Sequence, residues 1–171
     1  MSEDKLPEPW LRGTLVEAPA VARAVLHALE LAQEDLQKWC GNLSDEQLNA
    51  RPGGIAPVAF HLRHIARSSD RLLTYAEGRA LGPKQIAAMK TELEPGATNA
   101  ELFTELATAW QDAARRIRVL GSANLEESRS VGSRKLPTTL GGLLVHVADH
   151  TQRHVGQAIT TAKIVTAGPT A

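Results

Sequence analysis

His146, His150 and His154 recur at intervals of four in LGGLLVHVADHTQRHVGQAI, residues 140–159, and His61 and His64 stand three apart in FHLRHIARSSD, residues 60–70. Four residues of α-helix advance the chain only about 40° beyond a full turn, so the three later imidazoles form one stripe. Two histidines at i and i+4 can chelate one divalent ion from a single helix. Of the six histidines only His27 lies outside these two segments. If the two segments face each other, five imidazoles converge.

Histidines on a helix are often just polar or half-buried residues. Here Leu143 and Val147 border the stripe, which turns it partly inward. Each neutral ring has a donor and an acceptor to satisfy, so burying three without partners is costly. A divalent ion, or a wet cleft holding one, removes that cost. The facing helix should supply one more ligand, His64 or His61. These two point about 60° apart, so one of them reaches the ion. Three imidazoles with open positions describe a catalytic rather than a closed structural site. Zinc and nickel both suit such a donor set. Gln157 is placed either to hydrogen-bond an imidazole or a bound water, or simply to face solvent. Asp149 should point away from the stripe.

Other residues give weaker signals. Cys40 has no basic neighbour and reads as a packed thiol. Trp39 and Trp110 fit core positions, and His27 falls off the apolar stripe of its helix and reads as surface. Asp70 and Arg71 read as solvated. No Glu or Asp stands beside the HxxxH as an obvious general base, so the general acid and base stay unassigned.

The elements that must carry these residues are helices. Val21, Val25, Leu29, Ala32, Leu36 and Trp39 recur at helical spacing from Pro19 to Cys40, ending at Gly41. Ser44 and Gln47 have capping-box spacing within a short link, broken by Pro52-Gly53-Gly54. A second helix runs from Pro57 to Gly78, followed by a looser segment with one helical piece at Lys84–Leu93. Thr98 and Glu101 open a third helix that ends at Gly121, with Leu102, Leu106, Trp110, Ala113, Ile117 and Leu120 on one face. Residues 124–137 read as a polar loop with some extended structure near 130–136. Thr138 or Thr139 can cap a fourth helix reaching about Ile164. The pattern predicts an all-α, four-helix bundle with a long connection between helices 2 and 3. One domain should span residues 1–171, with an irregular arm at about 1–13 and a frayed tail at about 165–171.

Composition narrows the function classes. Nineteen Lys and Arg balance nineteen Asp and Glu, without clusters, so neither nucleic acid nor an anionic membrane is an expected partner. No apolar run approaches the ~20 residues of a membrane span. The polar start MSEDKLPEPW and the single cysteine suit a cytoplasmic protein.

Three segments in order give a family resemblance. LSDEQLNARPGG, HLRHIARSSDRLL and HVADHTQRHVGQAI resemble the corresponding stretches of the DinB/YfiT-like superfamily of metal-binding four-helix bundles. The resemblance implies His64, in its H-I-A context, with His150 and His154 as the metal ligands. It makes His146 and His61 neighbours that contact a ligand or face the substrate. Val155 departs from the family, which often has a basic residue there. The implied chemistry is a spread: thiol-dependent S-transferases using a low-molecular-weight thiol, an isomerase and metal-dependent hydrolases. The leading expectation is an enzyme whose ion activates a thiol against a small electrophilic substrate. A hydrolase with metal-bound water is the alternative, and a non-catalytic metal-binding stress-response module is the alternative of another class. Members are often homodimers, and a homodimer is expected here.

Overall fold

The computed structural model describes residues 6–167. Its helices are α1 (Ala20–Cys40), α2 (Asp45–Asn49), α3 (Val58–Ala76), α4 (Pro83–Lys90), α5 (Asn99–Leu120) and α6 (Leu140–Ala167), with strands β1 (Ser128–Val131) and β2 (Leu136–Thr139) between α5 and α6. Helix α3 packs against both α6 and α5, and α1 packs against α6 and, less extensively, α5. None of these helices is long and apolar enough to cross a membrane.

Caps and apolar stripes account for the helix bounds. The Ser44 hydroxyl accepts from Gln47 N while the Gln47 side chain accepts from Ser44 N, and Thr98 with Glu101 repeats the arrangement at α5. Thr139 Oγ1 accepts from Gly142 N at 3.0 Å and so serves the start of α6. The core is drawn from Val25, Leu29 and Leu36 of α1, Leu62 and Ile65 of α3, Leu102, Leu106 and Ile117 of α5, and Leu144 and Val147 of α6. These are the helical stripes of the sequence. Gly121 ends α5 with a right-handed φ of −65°, so a left-handed turn is not its purpose. A Cβ there would stand 2.3 Å from that of Ala22; glycine lets the end of α5 approach the start of α1.

Four expectations need correction. The polar loop contains a β-hairpin, in register Ser128↔Thr139 to Val131↔Leu136, with a turn that includes Gly132 at φ +73°. Its apolar alternation is weak because Val131 and Leu136 are the only large apolar residues of the two strands. The helical piece of the 81–95 segment is Pro83–Lys90 and stops short of Leu93. Trp39 is 39% exposed, its ring covered by the ammonium groups of Lys38 and Lys163 instead of core atoms. His27 is buried, its Nε2 3.1 Å from Thr14 Oγ1, because the N-terminal arm folds back over α1. Arg12 anchors that arm through Glu34 at 2.6 and 2.8 Å. Within the expected arm, residues 9–11 form a 3₁₀ turn and residues 1–5 lie outside the described residues. Within the expected frayed tail, 165–167 continue α6 and 168–171 lie outside the described residues.

Candidate metal centre

Helices α3 and α6 are the most extensively packed pair that bears histidines, and their stripes meet. His64 of α3 and His150 and His154 of α6 each place one ring nitrogen within 4.8 Å of the other two. His64 Nε2 and His150 Nε2 are 2.9 Å apart, and the His154 ring centroid lies 4.4 Å from that of His64 and 4.7 Å from that of His150. All three residues are half-buried. Ligands at about 2.0–2.1 Å from one ion stand roughly 3 Å apart, so this cluster needs little adjustment to hold one.

The protonation chemistry suits a cation. Burial, then the neighbouring His154, His64 and His146, push His150 down to about 4 from 6.5; burial and His64 do the same to His154. Both rings are therefore neutral near pH 7 and keep a lone pair for an ion. His64 Nδ1 lies 2.7 Å from Glu92 Oε2. The carboxylate accepts from Nδ1–H, which leaves His64 Nε2 as the acceptor directed at the cluster. His150 Nε2–H then donates to His64 Nε2 at 2.9 Å.

Glu92 is the residue that sequence reasoning missed. It is only 6% exposed, whereas its neighbour Leu93 is 54% exposed, the reverse of what hydropathy suggests. Arg71 Nη1 donates to Glu92 Oε1 at 2.6 Å. Burial alone would raise the Glu92 carboxyl, but hydrogen bonds from His64 and Arg71 outweigh it and hold the group below the usual carboxylate range. Arg71 is thus a buried member of the site's support and not the solvated residue expected. Asp70 does face elsewhere, pairing with Arg116 at 2.7 Å. Phe60 stacks on His64 with centroids 5.3 Å apart and planes 23° from parallel, fixing the ring from another side.

The remaining candidates separate clearly. His61 is buried with Nδ1 3.1 Å from His154 Nδ1, and burial followed by His154 and His64 lowers it to about 4. It touches a ring of the cluster rather than joining the close trio. His146 is at the solvent edge, 43% exposed at its side chain, with its ring centroid 5.4 Å from that of His150 and Nδ1 3.2 Å from Asp149 Oδ2, so Asp149 reaches the outer end of the stripe instead of pointing away from it. Gln157 is exposed and hydrogen-bonds no imidazole among the described residues. Cys40 is fully buried, and burial raises its thiol to about 12, which removes it as a nucleophile.

A search of curated proteins found no match to the chain. The sequence model of the DinB superfamily matches residues 28–158, a span that holds α3, Glu92 and the histidine face of α6, and the chain belongs to that superfamily.

Proposed function

We propose that the protein is a metal-dependent enzyme that transfers a low-molecular-weight thiol to a small electrophilic substrate. The observation that carries this reading is the convergence of the His64, His150 and His154 ring nitrogens, with His64 oriented by Glu92. A zinc or nickel ion held there would supply Lewis acidity, lowering the pKa of a thiol at an open position. Glu92 keeps the proton of His64 on Nδ1, and Phe60 holds the ring plane. His61 gives His154 Nδ1 a hydrogen-bond partner. At the solvent edge, Asp149 fixes the His146 Nδ1–H, which leaves Nε2 to take the proton of an incoming thiol. Family membership favours a thiol over water as the nucleophile. The four long helices α1, α3, α5 and α6 read as a four-helix bundle forming one domain, with the α4 segment as its long connection. A homodimer working in the cytoplasm fits the balanced charge.

Elemental mass spectrometry tests the centre first. Near-stoichiometric metal in wild type should be lost in His64→Ala, His150→Ala and His154→Ala. Retention in those variants with loss in His61→Ala would reassign the ligands. Electrophile consumption should then require added thiol; thiol-independent turnover would indicate hydrolysis, and metal without any turnover would indicate a binding module. His146→Gln should keep its metal yet lose about 10²-fold in turnover.

A further inference from the structure

A cavity of about 440 Å³ opens between α3, α4 and α5, and none of the five clustered histidines lines it. Its apolar wall comes from the methyl groups of Ala66, Ala88 and Ala109, and its polar wall includes Arg67, Arg71 and Lys84. The volume lies within the range that takes a small organic ligand. What distinguishes the cavity is Arg71. This side chain is about nine-tenths buried and donates a single hydrogen bond, from Nη1 to Glu92. Its Nε and Nη2 have no hydrogen-bond partner among the described residues, yet they are not sealed: among those residues the only fully enclosed side-chain polar atom without a partner is the Trp110 indole nitrogen. Arg71 thus lines the cavity while two of its guanidinium nitrogens lack a partner among the described residues.

Apart from Lys84, the other charges in the wall already have partners. Arg67 donates to Glu105 at 2.6 Å and to Ala88 O and Thr91 Oγ1, each at 2.9 Å. Asp70 accepts from Arg116 and Gln85, each at 2.7 Å. Glu105 and Asp70 thus each already accept from a guanidinium. Lys84, exposed at the mouth, forms no ion pair among the described residues. The uncommitted donors, on Arg71 and Lys84, are both cationic and stand above an alanine-lined surface. We infer that this cavity binds a small monocarboxylate with a compact apolar body, its carboxylate on the Arg71 guanidinium and its body against the alanines. The site is separate from the metal centre and is joined to it by two hydrogen bonds, Arg71 to Glu92 and His64 to Glu92.

Isothermal titration with 4-phenylbutyrate, about 12 non-hydrogen atoms, tests this directly, with 4-phenylbutanamide as the neutral match. Wild type should bind the carboxylate with a dissociation constant of roughly 0.1–1 mM, and the amide at least about tenfold more weakly. Lys84→Glu should weaken binding about fivefold, and Thr108→Trp, which puts an indole on the exposed rim, should abolish it. His150→Ala should bind as wild type does, because the carboxylate does not sit on the metal. Equal binding of the amide, full binding by Thr108→Trp, loss of binding in His150→Ala, or no heat up to about 10 mM would each overturn the assignment. None of these readouts depends on turnover, so they stand apart from the proposed enzymatic activity.

Discussion

Arg71 on α3 and Arg116 on α5 are both buried, and their surroundings differ in one respect that separates structure from function. Arg116 is saturated: Nε donates to Glu77 at 2.6 Å, Nη1 to Asp70 at 2.7 Å, and Nη2 to the Thr74 hydroxyl at 3.2 Å. It ties α5 to the C-terminal half of α3, and its partner Glu77 is held below the usual carboxylate range against the opposing effect of burial. Arg71 instead spends one donor on Glu92 and leaves the rest of its fork open. A closed ionic cluster positions helices. A half-used arginine, coupled through a carboxylate to a histidine, positions a site and leaves capacity for a ligand.

Removing each arginine should make the difference measurable. Arg116→Met leaves the half-exposed Asp70 and the more enclosed Glu77 without their shared cation, and a loss of about 2–3 kcal/mol is expected in chemical denaturation. Arg71→Met should cost less, since it gives up one hydrogen bond where Arg116 gives up three, and His64 still partners Glu92. Equal losses would mean that Arg71 belongs to the scaffold alone.

The histidine cluster should break at a different place, on the acid side. His61, His150 and His154 are lowered to about 4 from 6.5, so between those values the unfolded chain binds more protons than the metal-free native state. Stability is intact above about pH 6.5 and falls as pH drops toward 4, with the enclosed His61 alone accounting for about 3 kcal/mol. Urea midpoints across this window, after chelation, check the sign. A flat profile would remove the claim that burial keeps these rings neutral.

Much of this was legible in the sequence, for physical reasons that also mark where legibility stops. The histidine stripe was readable because four-residue spacing is rigidly translated into one helical face, and Leu143 and Val147 disclosed that the face turns inward. The capping boxes at Ser44 and Thr98 were readable because both halves lie within four residues. Glu92 was not readable: its partners Arg71 and His64 are 21 and 28 residues away, and a buried glutamate beside an exposed leucine runs against hydropathy. His27 failed similarly, since the arm that buries it is folded back by the Arg12–Glu34 pair rather than by any apolar pattern. The hairpin before α6 has only Val131 and Leu136 as large apolar residues, so its sequence carries no period-two apolar pattern even though burial alternates along β1.

Glu92 therefore supplies the sharper test of how the two regions communicate. Glu92→Gln keeps the shape and, with its amide oxygen on Arg71, turns an NH2 donor toward His64 Nδ1 where the charged acceptor stood. Metal affinity, measured by competition with a chromophoric chelator, should fall about 10- to 100-fold while the fold is kept. An unchanged affinity would show that His64 needs no orienting carboxylate.

The smallest effect should come from His61→Asn. His61 contacts His154 Nδ1 as Glu92 contacts His64 Nδ1, but a neutral ring is a weaker partner than a carboxylate, and its hydrogen bond is longer, 3.1 Å against 2.7 Å. Metal affinity should therefore fall less than about tenfold in the same competition assay. A loss equal to that of Glu92→Gln would mean that charge is not what orients the centre. A complete loss would place His61 among the ligands. Either result would shift weight from the α4-side support, where Glu92 and Arg71 lie, to the direct packing of α3 on α6.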